Sequence, residues 1–259
     1  MDTESKADTS MGSTDAGQTD AIYLLAMDRL EHKVTVISIP RDTMTQIETY
    51  GVDGTSLGKT KDHISIAYAF GDGSHESCRL TKEAVSELFY GLQIEGYCSV
   101  GLEALPVLTK SVGSVEVTVP DESLEAAYPE FRKGAQVTLT EENTETFVRY
   151  RDVNVSNSAI SRMVRQQEYI KAFGKAAREK YAAEPGFVAE MYLSLEPYMV
   201  TNMGKDRFVT IMDSLSQGGN DAGWTVPGEA VSGAEYDEYH VDDDALYEKI
   251  METFYVEVH

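Results

Sequence analysis

Two runs of apolar and β-branched residues, Ala21 to Asp28 (AIYLLAMD) and Lys33 to Pro40 (KVTVISIP), flank the short polar stretch Arg29 to His32. That pattern predicts two adjacent strands joined by a hairpin. Both runs are apolar enough to predict burial on two faces, in the middle of a sheet covered by helices. From Arg79 to Leu92 the apolar residues Leu80, Ala84, Val85, Leu88 and Phe89 recur at three-and-four spacing, which predicts an amphipathic helix ended by Gly91. Ile94 to Val100 reads as a strand and Leu102 to Ser111 as a short helix containing Pro106. Ser114 to Pro120 (SVEVTVP) alternates as a half-exposed strand.

Thr140, with Glu141 and Glu142 after it and Asn143 three residues on, predicts a helix start, because acids in a first turn complement the helix dipole. A long helix is predicted from about Ile160 to Tyr181, with Ile160, Met163, Val164, Tyr169, Ile170 and Phe173 mostly along one side. Glu184 to Val200 and Lys205 to Leu215 read as further helices, and Trp224 to Ala230 as a last extended segment. Asp242, Asp243 and Asp244 precede the apolar-periodic Ala245 to Phe254; acids on a helix's positive end explain them better than a metal site does. Residues 2–20 are polar and rich in Gly, Ser and Thr, so residues 1–20 are predicted to be a flexible arm or loop and residues 20–259 a single domain. The interleaving of strands and helices predicts an α/β fold, a three-layer α/β/α sandwich around a mixed central sheet.

Composition narrows the function. Asp and Glu number 44 against 22 Lys and Arg, a net charge of −22, which excludes a protein built to wrap nucleic acid, since that needs a broad basic face. Two cysteines, Cys78 and Cys98, are too few for a disulfide framework; two buried free thiols are the plainer expectation, a single disulfide the alternative. The five histidines, His32, His63, His75, His240 and His259, show no metal-ligand spacing, and no hydrolase or P-loop motif is present. No run of 18 apolar residues occurs.

Against this acidic background Arg149, Arg151, Arg162 and Arg165 fall within 17 residues and are followed by Gln166 and Gln167. A guanidinium offers a planar fork of donors matched to carboxylate and phosphate oxygens, so the cluster predicts an oxyanion site, with phosphate or pyrophosphate as the favoured ligand. Arg162, Arg165 and Gln166 are three and four apart and should project together from the opening turns of the long helix. Asp20 stands at the mouth of the first predicted strand and Arg41-Asp42 at the end of the second, where sites tend to form in α/β folds.

The segments SIPRDT (Ser38 to Thr43), HISIAYAFG (His63 to Gly71), SVGSVEVTVP (Ser111 to Pro120), VRYR (Val148 to Arg151) and RMVRQQ (Arg162 to Gln167) occur in this order. Together, over about residues 20–180, they resemble the LytR-CpsA-Psr family, and the remainder, with WTVPGE and the acidic terminal helix, resembles the tail of clostridial-type members. The resemblance implies a membrane-anchored, extracytoplasmic phosphotransferase of Gram-positive bacteria. Such enzymes move an anionic glycopolymer, a wall teichoic acid or capsule chain, from a polyprenyl pyrophosphate carrier to a sugar hydroxyl of peptidoglycan. Magnesium (Mg2+) assists, and some members also hydrolyse polyprenyl pyrophosphate.

Carried onto this chain, the resemblance implies that Arg41, Arg149 and Arg151 clamp the two phosphates, that Arg162, Arg165, Gln166 and His63 add substrate contacts, and that Asp20 and a second aspartate, Asp2, hold magnesium. Three positions depart from the family pattern. Met1-Asp2 stands where only the end of a first-strand turn would be, so the membrane anchor and first strand are expected upstream. Ala159 replaces an aspartate that is common three residues before Arg162, leaving Asp152 as the alternative orienting carboxylate, and His63 replaces a basic residue. A polyprenyl tail would also need an apolar channel, for which Phe70, Leu88, Phe89, Val107, Phe147 and Phe173 are candidates, ordinary core being the plainer role for each. The rival reading is a non-catalytic module that binds polyprenyl phosphate or an anionic polymer.

Overall fold

The computed structural model describes residues 17–28, 30–31, 33–150, 158–184, 186–217, 223–232 and 237–255. In chain order the elements are β1 (Ile22–Asp28), β2 (Lys33–Ile39), β3 (Met44–Tyr50), β4 (Ser56–His63), α1 (His75–Leu88), β5 (Cys98–Val100), α2 (Leu105–Ser111), β6 (Val115–Thr118) and β7 (Gln136–Leu139). There follow α3 (Thr144–Arg149), α4 (Ser158–Ala183), α5 (Phe187–Leu195), β8 (Met199–Thr201), α6 (Lys205–Gln217), β9 (Gly223–Thr225), β10 (Gly228–Ser232), β11 (Asp237–Val241) and α7 (Asp243–Phe254). The class is α/β, as the interleaved pattern predicts. Contacts among the described residues group into two compact units, one within residues 1–99, 200–204 and 217–259 and the other within residues 100–199 and 205–216.

The first unit is organised by the predicted hairpin. β1 and β2 pair antiparallel from Ile22 opposite Ile39 to Asp28 opposite Lys33, and β9 joins β2 in parallel, giving a mixed three-stranded sheet. Asp28 fixes the turn: its Oδ1 accepts the N–H groups of Leu30 and Glu31 at 2.7 and 3.0 Å. β1 is not buried on both faces as predicted; Ile22 and Leu24 point into the core while Tyr23 and Leu25 are exposed, so its alternation is that of a one-sided strand. β3 and β4 form a second hairpin that apolar periodicity does not reveal, because Thr43, Thr45 and Ile47 make its buried face and β4 is largely exposed.

Ile37, Ile39, Ile47, Ile64, Val85, Phe89, Val226 and Leu246 meet in one core, each burial contributing on the order of 1.5–3 kcal/mol for a large aliphatic or aromatic side chain. α1 supplies one wall of that core. Asp72 caps its start by accepting the N–H groups of Ser74 and Glu76 at 2.8 and 3.1 Å, and Gly91, at φ +83, donates to Ser86 O at 2.8 Å to close it. Asp242 caps α7 by accepting from Ala245 N at 3.1 Å, as the run of acids there predicts.

In the second unit β6 and β7 form a hairpin whose inner residues Val115, Val117 and Leu139 pack with Phe131, Phe147, Val148 and Tyr169. A neighbouring cluster of Ala104, Phe187, Val188, Met191, Leu195 and Phe208 binds α2, α5 and α6 together. α3 begins at Thr144 rather than Thr140: Thr140 N donates to Asn143 Oδ1 at 2.8 Å in a preliminary turn, and the helix starts one turn later. α4 spans 26 residues, slightly more than predicted, whereas α5 and β5 are shorter than the runs of apolar residues that announced them. Cys78 is buried as expected, but Cys98 is exposed.

Candidate functional site

The antiparallel register of β1 and β2 explains why Asp20 and Arg41 meet. Ile22 faces Ile39, so the residues two positions outward, Asp20 and Arg41, leave the hairpin at the same end. Pro40 turns the chain there, its carbonyl accepting from Thr43 N at 3.1 Å and Thr43 Oγ1 at 2.6 Å. The Arg41 guanidinium donates through Nη1 to Asp20 Oδ1 at 2.6 Å and through Nη2 to Gln18 Oε1 at 2.7 Å, with Asp42 Oδ1 3.5 Å from Nε. Side-chain exposures of 18% and 21% put the Arg41–Asp20 pair well below the surface while leaving an edge open to a ligand. The carboxyl end of the predicted arm is thus anchored: Gln18 and Asp20 hold Arg41, and Thr19 N donates to Ser65 O at 3.3 Å.

His63 closes β4 in the same unit. Its Nδ1 lies 3.0 Å from Asp62 Oδ1 and its Nε2 3.0 Å from Asp237 O, so both ring nitrogens face protein acceptors and the ring ties β4 to the start of β11. The predicted phosphate contact from His63 would have to displace one of these partners.

In the second unit the arginines divide by burial. Arg149, the last residue of α3, is half exposed and paired with Glu145 one turn back. Arg162 lies in the opening turns of α4 at intermediate exposure, and Gln166 is buried at 7%. Arg165 departs from the prediction most clearly: it is 1% exposed, with Nε donating to Phe147 O at 2.8 Å, Nη2 to Tyr150 O and Nη1 to Ser123 Oγ. Asp121 Oδ1 lies 3.6 Å from Nη1 and accepts from Ser123 N at 2.8 Å. Burial pulls the Arg165 guanidinium below its usual pKa, Asp121 pushes it back up, and nearby Arg162 lowers it again. A group so enclosed does not reach a ligand, so the shared helical face predicted from spacing carries one buried and one accessible arginine. Arg151, Asp152 and Asp2 lie outside the described residues.

Asp121 and Ser123 were not foreseen. The only signal for them is the turn composition of Pro120-Asp121-Glu122-Ser123 directly after a strand. The channel candidates are packed as core: Leu88 and Phe89 lie within the first unit's cluster with Phe70 against it, and Phe147, Phe173 and Val107 belong to or pack against the second unit's clusters. Among the described residues no group of three or more His, Cys, Asp or Glu could by itself hold a metal ion. Asp20 nonetheless offers a hard oxygen donor next to a guanidinium suited to phosphate. One carboxylate completed by phosphate oxygens and water is a donor set that magnesium accepts.

The profile of the LytR_cpsA_psr family matches residues 1–252. The chain belongs to that family. Curated LytR_cpsA_psr relatives include a polyisoprenyl-teichoic acid–peptidoglycan teichoic acid transferase TagU of Bacillus cereus, 26% identical over 89% of this chain and 70% of its own length. The TagU of Halalkalibacterium halodurans is 28% identical over 64% of this chain and 49% of its own length, and the cell wall biosynthesis protein LcpA of Corynebacterium glutamicum is 28% identical over 86% and 45%. The chain therefore spans about half the length of the last two relatives. Among solved structures, Streptococcus agalactiae gbs0355 aligns with a TM-score of 0.67 at 17% identity over 92% of this chain and 80% of that one. Bacillus subtilis TagV aligns at 0.64 and 20%, covering 93% and 91%, and TagT bound to LI-WTA at 0.63 and 19%, covering 91% and 83%. These likenesses establish the LytR_cpsA_psr fold.

No helix among the described residues is long and apolar enough to cross a membrane. The motif segments that carry the family resemblance supply Arg41, His63, Arg149, Arg162, Arg165 and Gln166. The structure divides them into exposed or edge-of-surface groups (Arg41, Arg149, Arg162) and groups committed to the protein (His63, Arg165).

Proposed function

We propose that this chain is a phosphotransferase that moves an anionic glycopolymer, a wall teichoic acid or similar chain, from a polyprenyl pyrophosphate carrier to peptidoglycan. What supports the reading is the sequence cluster Arg149, Arg151, Arg162 and Arg165 in a chain with net charge −22, of which Arg149 is half exposed and Arg162 at intermediate exposure, in a family with a curated relative named as a transferase of this kind. A sugar hydroxyl of peptidoglycan attacks the phosphorus bearing the polymer. A new P–O bond forms, the bond to the polyprenyl phosphate breaks, the hydroxyl proton passes to solvent or a base, and polyprenyl monophosphate leaves. Charge on the equatorial and leaving oxygens rises along this path, so the protein's task is to position and neutralise.

In the second unit Arg149 and Arg162 are the candidates for that charge, with Arg151 added by the family resemblance; in the first unit the candidate is Arg41, held by Asp20 and Gln18. Bound magnesium would supply further neutralisation of the phosphate oxygens, with Asp20 as its carboxylate. The protein, in this reading, works outside the cytoplasmic membrane on a lipid-borne substrate, and water in place of the sugar hydroxyl would give hydrolysis of polyprenyl pyrophosphate.

The test is to incubate the protein with a short-chain polyprenyl pyrophosphate glycan, with and without magnesium, and to follow binding and release of polyprenyl monophosphate separately. Magnesium-dependent release supports the transferase reading. Binding that survives with no release under any condition supports the rival, a module that only holds the lipid phosphate.

A further inference from the structure

The buried Arg165 has a use that does not require it to touch substrate. α3 is only six residues long and cannot hold itself as a helix in water, and the carbonyls of its last turn lack partners within it. Two of the carbonyls at this end, Phe147 O and Tyr150 O, accept from Arg165 Nε and Nη2. The third edge of the guanidinium reaches Ser123 Oγ, in a turn whose backbone is fixed by the Ser123 N–H donating to Asp121 Oδ1 at 2.8 Å. One planar cation therefore fastens three segments: the end of α3, the turn after β6, and α4. The residues whose direction this sets are Arg149 and Tyr150, immediately followed in sequence by Arg151.

We infer that Arg165 is a positioning residue. It caps the carboxyl end of α3 against the Asp121–Ser123 turn and so fixes the orientation in which Arg149, the last residue of α3, meets phosphate. The inference rests on the phosphate-binding reading proposed above. It also predicts that lysine is a poor replacement. An ammonium is a point donor that cannot meet Phe147 O, Tyr150 O and Ser123 Oγ along three fixed directions. A positive charge at a helix carboxyl end is favourable in itself, so lysine should keep part of the folding energy while losing the geometry.

The experiment compares the protein as it stands with Arg165→Lys, Ser123→Ala, Arg149→Ala and the two double variants carrying Arg149→Ala. Inorganic pyrophosphate binding is measured by calorimetry, thermal unfolding is recorded, and amide hydrogen exchange is followed across residues 144–152. Arg165→Lys should weaken pyrophosphate binding about tenfold or more while folded, and Ser123→Ala by a few-fold. Both should speed exchange at the end of α3 and leave the β1–β2 hairpin unchanged. In the Arg149→Ala background the further loss from either change should largely disappear, because the side chain being positioned is gone. Should Arg165→Lys fail to fold, Ser123→Ala carries the same comparison. Unchanged binding in a folded variant, or losses that simply add to that of Arg149→Ala, would overturn the inference. If the unsubstituted protein does not bind pyrophosphate while exchange at 144–152 still rises in the variants, the phosphate reading fails and the capping role of Arg165 stands.

Discussion

Replacing Asp20 with alanine separates the two roles this carboxylate can have. In the structure Asp20 Oδ1 lies 2.6 Å from Arg41 Nη1, and the two side chains are 21% and 18% exposed. Fully exposed pairs contribute about 0–1 kcal/mol, and breaking fully buried ones costs about 3–5, so a pair about four-fifths buried should cost about 1–2 kcal/mol when broken. Arg41 is not left bare, since Gln18 Oε1 remains 2.7 Å from Nη2. The stability loss should therefore be modest and visible as a shift in the denaturation midpoint. Binding of a polyprenyl pyrophosphate analogue should weaken only a few-fold, because losing a negative charge beside Arg41 offsets the loosened guanidinium. Turnover should behave differently. If Asp20 acts on the reacting phosphates, directly or by holding magnesium, its removal should cost about 2.7–4 kcal/mol of transition-state stabilisation, a fall of roughly 100-fold or more in kcat. The assay is polyprenyl monophosphate release at saturating substrate, set beside equilibrium binding by the same protein. Wild-type turnover in a folded Asp20→Ala protein would refute this reasoning and leave Asp20 with a structural role.

Three further outcomes are expected. Arg149→Ala should weaken pyrophosphate binding by about 1.5–3 kcal/mol while leaving stability almost untouched, since its pairing with Glu145 lies on an exposed helix face; titration calorimetry and urea unfolding check the two halves. Phe147→Ala should destabilise the second unit by about 3–5 kcal/mol, because the ring is fully buried and packs 5.5 Å from Phe131, and fluorescence-detected urea unfolding should show the shift. Burial pushes the Cys78 thiol up from 9.0 to about 11, so the stability it contributes is complete below pH 9 and is lost as pH rises toward 11, when the unfolded thiol ionises and the folded one resists. Cys78→Ala should flatten that stretch of the stability–pH profile, measured by denaturation between pH 8 and about 11.

The β1–β2 hairpin was legible because its apolar runs are long and its turn is short, and with it came the pairing of Asp20 and Arg41 at one end. The β3–β4 hairpin was not, since Thr43 and Thr45 share its buried face with Ile47 and a count of apolar side chains misses threonine. A turn signal was present nonetheless in Asp53-Gly54, where Gly54 takes φ +77. At the candidate site the arginine cluster could be read from composition and the common helical face of Arg162, Arg165 and Gln166 from spacing. Which of these residues is buried could not, because it depends on the carbonyls of α3 and on the turn after β6, both distant in sequence from α4. An arginine can be enclosed when backbone acceptors meet its planar fork, and no property of the residue itself announces that. The aromatic and aliphatic residues proposed for a lipid channel illustrate the same point, for the side chains that would line such a channel are also those that fill a core.

The most direct test of the account supplies the protein with a lipid-linked teichoic acid precursor labelled in its polymer, together with peptidoglycan and magnesium, and measures label joined to peptidoglycan against polyprenyl monophosphate released. The account predicts the two in equal amounts, both dependent on Arg149 and Arg151. Lipid binding that depends on these arginines, with no label reaching peptidoglycan and no monophosphate released, would contradict it.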